Sequence, residues 1–176
     1  MNTTRRLVTS FLAALGTPFG VNAQVGRDLR LMFLATSAAT LGVKPTVEYP
    51  RVIGVAMDWP IGEQTATIVS LFDGTASLYT TSTFGIIGGV GHASVRTAAQ
   101  RFVKAADKHF ADASPTSSHP YPGKNKVRFN LVTFDGVRAI ETDAQPVYSG
   151  SGKYSALFGE GQSVLTELRK VTEQKR

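Results

Sequence analysis

Twice in this chain an Asp-Gly pair stands between two β-rich runs, and no other feature restricts the fold as much. "TATIVSLF" (Thr65 to Phe72) and "TASLYTT" (Thr75 to Thr81) flank Asp73-Gly74, while "VRFNLVTF" (Val127 to Phe134) and "VRAIET" (Val137 to Thr142) flank Asp135-Gly136. A type I′ turn needs positive φ at both central residues, which Asp-Gly tolerates, so each pair predicts a tight hairpin. Hairpins make neighbouring strands antiparallel, because parallel neighbours need a crossover connection. Asp73 and Asp135 are accordingly read as turn residues and not as catalytic acids.

A fifth strand precedes them. In "RVIGVAMDW" from Arg51, the residues Ile53, Val55 and Met57 alternate with Val52, Gly54, Ala56 and Asp58, until Pro60 and Gly62 break the run. Helical spacing appears three times. Leu29, Met32, Phe33 and Thr36 predict a helix over Asp28–Leu41, stopped by Gly42 and Pro45. Val95, Ala98, Ala99, Phe102, Val103, Ala106 and Phe110 form one apolar stripe, and Val164, Leu165, Leu168 and Val171 mark a final helix. Gly150, Gly152, Gly159 and Gly161 soften the start of that last helix, and residues 112–125 read as a turn-rich connection. The expected fold is α+β, a mainly antiparallel five-stranded sheet with packed helices in the order α-β-β-β-α-β-β-α. A chain of 176 residues suits one such domain, placed at 26–176 behind an amino-terminal segment at 1–25.

That element order, from about Asp28 onward, resembles the type III secretion chaperone fold, whose members are usually homodimers that bind protein segments. The resemblance implies the fold and a homodimeric, protein-binding role; the basic charge of this chain departs from those usually acidic chaperones. Separately, "GVAMDWPIG", "SLFDGTASLYTT" and "GIIGGVGHASVRTAA" are similar to an uncharacterised group of bacterial proteins, a likeness that implies no activity.

Charge and composition narrow the function classes. The formal net charge is +6, which favours acidic partners in general. Yet Arg5, Arg6, Arg27, Arg30, Lys124, Lys126, Arg128, Arg138, Arg169, Lys170, Lys175 and Arg176 are scattered, so they read as solvated basic surface and nucleic-acid binding is not favoured. There is no cysteine, which removes disulfides and thiolate chemistry. No segment approaches the roughly eighteen uninterrupted apolar residues of a membrane span. The first residues leave two readings open. "MNTTRRLVTSFLAALGTPFGVNA" has the outline of a secretory signal ending at Val21-Asn22-Ala23, which would make the protein secreted or periplasmic. Its polar, Pro-containing middle instead suits a retained amphipathic arm packing through Leu7, Phe11, Leu12 and Leu15, and a cytoplasmic protein.

The remaining chemistry gathers at "STFGIIGGVGHASVR". Gly85, Gly88, Gly89 and Gly91 lie between a strand and the best helix, where unpaired N–H groups and the macrodipole favour an anion. His92, Ser94 and Arg96 are placed to assist, giving a candidate anion or nucleotide site. It is no P-loop, since Gly-Lys-Ser/Thr is absent, nor a dinucleotide fingerprint, since the third glycine is missing. The alternative is that these glycines allow a tight passage or close packing. Asp58 and Trp59 form a second candidate pocket, the acid as base or metal ligand; otherwise Asp58 satisfies turn N–H groups and Trp59 packs on the sheet edge. His92, His109 and His119 lack metal-ligand spacing, Gly-x-Ser-x-Gly is absent, and no cofactor is implied. No enzymatic activity is positively indicated. The expectation is a non-enzymatic interaction or regulatory domain, homodimeric, with an unidentified protein partner.

Overall fold

The computed structural model describes residues 23–82 and 84–173. The amino-terminal arm reading concerns residues 1–25 and the signal reading residues 1–23; residues 1–22, with Leu7, Phe11, Leu12 and Leu15, lie outside the described ones. The order is α1 (Ala23–Leu34), α2 (Ala38–Leu41), β1 (Val52–Ile61), β2 (Gln64–Leu71), β3 (Ala76–Thr80), β4 (Gly85–Ile86), a 3-10 turn (Gly89–Gly91) and α3 (Ala93–Asp107). A second 3-10 turn (Phe110–Asp112), β5 (Ser114–Pro115), β6 (Lys126–Thr133), β7 (Gly136–Asp143), α4 (Ala144–Tyr148) and α5 (Ser155–Glu173) complete it. The strands form one antiparallel sheet in the order β4-β3-β2-β1-β6-β7-β5. The α+β class holds, but the sheet has seven strands and not five. The five expected strands are β1, β2, β3, β6 and β7; β4 and β5 are two-residue additions at opposite edges, too short to show a period.

The turns also differ from expectation. Neither Asp73 nor Asp135 has positive φ, so neither hairpin is type I′. Gly74 (φ 91°) and Gly136 (φ 117°) instead take the left-handed conformation at the exit of each turn, behind an Asp in ordinary backbone geometry. The Asp73 carboxylate accepts from the Thr75 N–H at 2.8 Å, which is the turn role expected of it. A third hairpin was not foreseen. β1 runs straight through Pro60 and turns at Gly62-Glu63, where Ile61 faces Gln64 across a two-residue connection. Pro60 is tolerated because β1 pairs with β6 only as far as Asp58, so the missing N–H deprives no strand of a donor.

Two cores sit on opposite faces of the sheet. One joins Val55, Met57, Trp59, Phe129 and Leu131 to Val95, Ala99, Phe102 and Val103 of α3 and to Leu157, Val164 and Leu168 of α5. The other joins Ile53, Ala56, Val69, Leu71, Tyr79 and Val132 to Phe33 and Leu34 of α1 and Ala38 of α2. Ile53 therefore faces away from Val55 and Met57, contrary to simple alternation. A register shift between Val52 and Gly54 against β6 inserts one residue and reverses the parity. The α3 stripe is buried as its spacing predicts from Val95 to Ala106.

The first helix is displaced from its expected span of Asp28–Leu41. It begins at Ala23, across the proposed boundary at residue 25, and stops at Leu34. Ser37, in extended conformation, caps the one-turn α2 by accepting from the Thr40 N–H at 3.1 Å. The inward side of α1 carries Gly26, Arg30, Phe33 and Leu34, while Met32 is 49% exposed. Arg30 thus occupies an interior position that hydropathy alone assigns to a neighbour. Gly159 and Gly161 lie within α5 rather than at a soft entry. A Cβ on Gly161 would stand 2.5 Å from Met57 Cε, so this glycine lets α5 approach β1.

Candidate functional site

The glycine run is folded into the edge of the helix layer. Gly85 pairs with Tyr79 in β4, Gly89 and Gly91 form the 3-10 turn, and His92 occupies the N-cap of α3 without a side-chain capping bond. Gly89 is buried, and a Cβ there would lie 2.6 Å from both Leu168 Cδ2 and Val95 Cγ1. Close packing is therefore one use of this glycine. Arg96 turns back on the loop and donates from Nη1 to the Val90 carbonyl at 2.8 Å. Gly88, Gly89 and His92 border a narrow crevice against Leu168 and Val171, whereas Ser94 faces a different opening.

That second opening separates two helices. It is an open groove of about 480 Å³ between α3 and α5, lined by Ala93, Ser94, Thr97 and Arg101 on one side and by Ser163, Thr166 and Glu167 on the other. Short side chains create the width, and four hydroxyls supply hydrogen-bonding capacity. Arg101 pairs with Glu160 at 3.0 Å and remains 56% exposed. Glu167 accepts from Lys170 at 2.7 Å; that bond, with a second from Ser94, holds its carboxyl below the usual range. The stripes Ala93, Thr97, Arg101 and Ser163, Thr166/Glu167, Lys170 recur at helical spacing beside the apolar ones. In the sequence they mark only polar helix faces, and of the groove lining only Ser94 is among the candidate site residues.

Asp58 and Trp59 are not at a strand end. Both are interior residues of β1, Asp58 wholly buried and Trp59 nearly so. Trp59 meets Phe158 edge-on at 6.3 Å in the helix-side core, not at the sheet edge. Asp58 satisfies no turn N–H. Its carboxylate accepts from Arg30 Nε at 2.9 Å and Nη2 at 2.7 Å, from Thr67 Oγ1 at 2.6 Å and from Asn130 Nδ2 at 3.1 Å. Every oxygen is occupied, as a buried charge requires. The cluster continues through Arg128, which donates to Asn130 Oδ1 at 3.2 Å and to Glu141 Oε2 at 3.3 Å. Arg30 is thus no solvated surface cation. Its partner lies 28 residues away, on an element that only folding brings near.

The histidines remain apart. His109 contacts Asp112 at 3.1 Å and Tyr154 edge-on, and His119 lies in the connection before β6. Among the described residues no group of three or more His, Asp or Glu side chains is disposed to hold a metal ion. Among them, too, no helix is long and apolar enough to cross a membrane. Compared with protein-family models, curated proteins and solved structures, the chain matches none.

Proposed function

We propose that this protein is a non-catalytic interaction domain that receives a segment of another polypeptide in the groove between α3 and α5. The groove itself carries the reading. It is open to solvent and not enclosed, so it suits a segment of chain better than a small molecule, which a pocket normally encloses. Its hydroxyls donate to the carbonyls of Ala93, Gly159 and Gln162 and to Glu167, which leaves their lone pairs to accept main-chain N–H groups, and Arg101 and Glu167, each beside its own partner, set one charge of each sign along the groove. Thr97 is exposed, so Thr97→Trp fills the groove without disturbing the core beneath. Affinity capture from the native host, followed by binding of the recovered partner's peptides, tests the proposal. Peptides that bind the wild-type protein and lose at least tenfold in affinity for Thr97→Trp support it. Equal affinity for both places recognition elsewhere.

Self-association belongs to the same reading, and β7 supports it. β5 covers only Arg138 and Ala139 of the outer edge of β7, leaving Ile140 to Asp143 without a neighbouring strand among the described residues. Two such edges can pair about a two-fold axis. Light scattering over a wide concentration range decides this: a dimer is expected, and a concentration-independent monomer rejects it.

A further inference from the structure

On the sheet face that carries Asp58, α1 packs with Arg30 turned inward, and residues 116–125 pass over the same guanidinium as a strap. Its ends are tied by main-chain bonds, Thr116 N–H to the Val137 carbonyl at 2.9 Å and Ala144 N–H to the Asn125 carbonyl at 2.9 Å. Its middle is "HPYPG", where Pro120 and Pro122 have no N–H to donate. Arg30 holds that middle. The same guanidinium that binds Asp58 donates to the His119 carbonyl at 2.8 Å and the Pro120 carbonyl at 3.2 Å, and it lies 4.5 Å from the Tyr121 ring centre.

His119 is the one strap residue at odds with this arrangement. Its Nδ1 is shielded from solvent and has no hydrogen-bond partner. Arg30 from α1 sits on the carbonyl of His119 itself, and its charge and that of Arg128 from β6 both act against a proton on the ring. The nearby acids are committed: Asp58 of β1 to Arg30, Thr67 and Asn130, and Glu141 of β7 to Arg128. Tyr121, from the strap itself, lies against Arg30. A proton on the imidazole would make both ring nitrogens donors, leaving a shielded N–H without an acceptor beside two cations.

We propose that the strap is an acid-released latch, closed while His119 is neutral and freed from Arg30 when His119 is protonated. Burial first, and then Arg30 and Arg128, hold the His119 pKa below the ordinary imidazole value. The open strap binds the proton more readily. Closure is therefore fully favoured above the ordinary imidazole pKa and is lost as pH falls toward the lower, closed-state value. Within that window each pH unit changes the closed-to-open ratio by about tenfold. Release would uncover the polar floor formed by Arg30, Thr67, Arg128 and Asn130, a surface separate from the α3–α5 groove.

Solvent protection of the Tyr121 ring in the full chain, read by NMR and referenced to the amides of β6, tests the latch, because the strap is held through its carbonyls and this ring, and not through its N–H groups. The wild-type strap should lose protection between neutral and mildly acidic pH while β6 keeps its own. His119→Gln should retain strap protection throughout, and Arg128→Gln, which removes one cation acting on the ring and so narrows the gap between the closed and open pKa values, should move release to lower pH. Strap protection that does not change with pH overturns the proposal, and so does an equal loss in His119→Gln. An NMR titration placing the His119 ring at or above the ordinary imidazole pKa overturns it as well.

Discussion

Asp58 and Arg30 show how strongly one residue's worth depends on where its partner sits. Removing either member of a buried pair leaves an uncompensated charge, which costs about 3–5 kcal/mol. Asp58→Ala is expected to reduce stability by that amount in urea unfolding. Glu160→Ala removes the acid opposite the exposed Arg101 and should change stability by about 0–1 kcal/mol, because solvent screens that pair. The double replacement Arg30→Met with Asp58→Leu should cost less than Asp58→Ala alone, since it removes both charges together. A double variant as unstable as the single one would show that Thr67 and Asn130, not the ion pair, dominate the site.

Among elements, the β1–β2 hairpin carries the sharpest test. Its register pairs every residue from Gly54 to Ile61 with β2, and the chain reverses at Gly62, whose φ is 59°. A Cβ at Gly62 would meet nothing within 4 Å, so Gly62→Ala acts through the backbone alone. Holding Ala at positive φ should cost about 1–2 kcal/mol, read as a lower denaturation midpoint with an unchanged m-value. Gly91→Ala is the control: that site is equally open and its backbone does not take positive φ, so stability should scarcely move. A loss as large at Gly91 as at Gly62 would remove the conformational explanation. Both glycines look alike in the sequence. The hairpin was legible only in part, because Pro60 and Gly62 read as the end of a strand, whereas Pro60 lies within β1 opposite Thr65 and only Gly62 belongs to the turn.

For the whole molecule, one sheet serves two cores, and that makes unfolding cooperative across both faces. Trp59, the single tryptophan, lies in the core beneath α3 and α5, while Phe33 lies in the core beneath α1. Phe33→Ala should cost about 3–5 kcal/mol. The full loss should appear in the Trp59 fluorescence transition, because strands β1, β2 and β6 contribute side chains to both layers. If Trp59 reports an unshifted transition while far-ultraviolet dichroism reports an earlier one, the two layers unfold separately.

What the sequence by itself determined is the set of local patterns. Two Asp-Gly pairs with the β-rich runs around them, the apolar run of β1, and the three-four spacing of α3 and α5 each arise within one element, so five strands and the principal helices could be placed. What only the tertiary structure decided are relations between elements. The bulge that turns Ile53 to the other face depends on pairing with β6. The edge strands β4 and β5 exist only because β3 and β7 offer unpaired main-chain groups. Arg30 is a surface cation by composition and an interior one by contact, because its cost of burial is met by a carboxylate contributed from β1. The groove has the same origin: Thr97, Arg101, Ser163 and Glu167 are ordinary helix-surface residues until α3 and α5 pack side by side, and no local pattern records the distance between two helices.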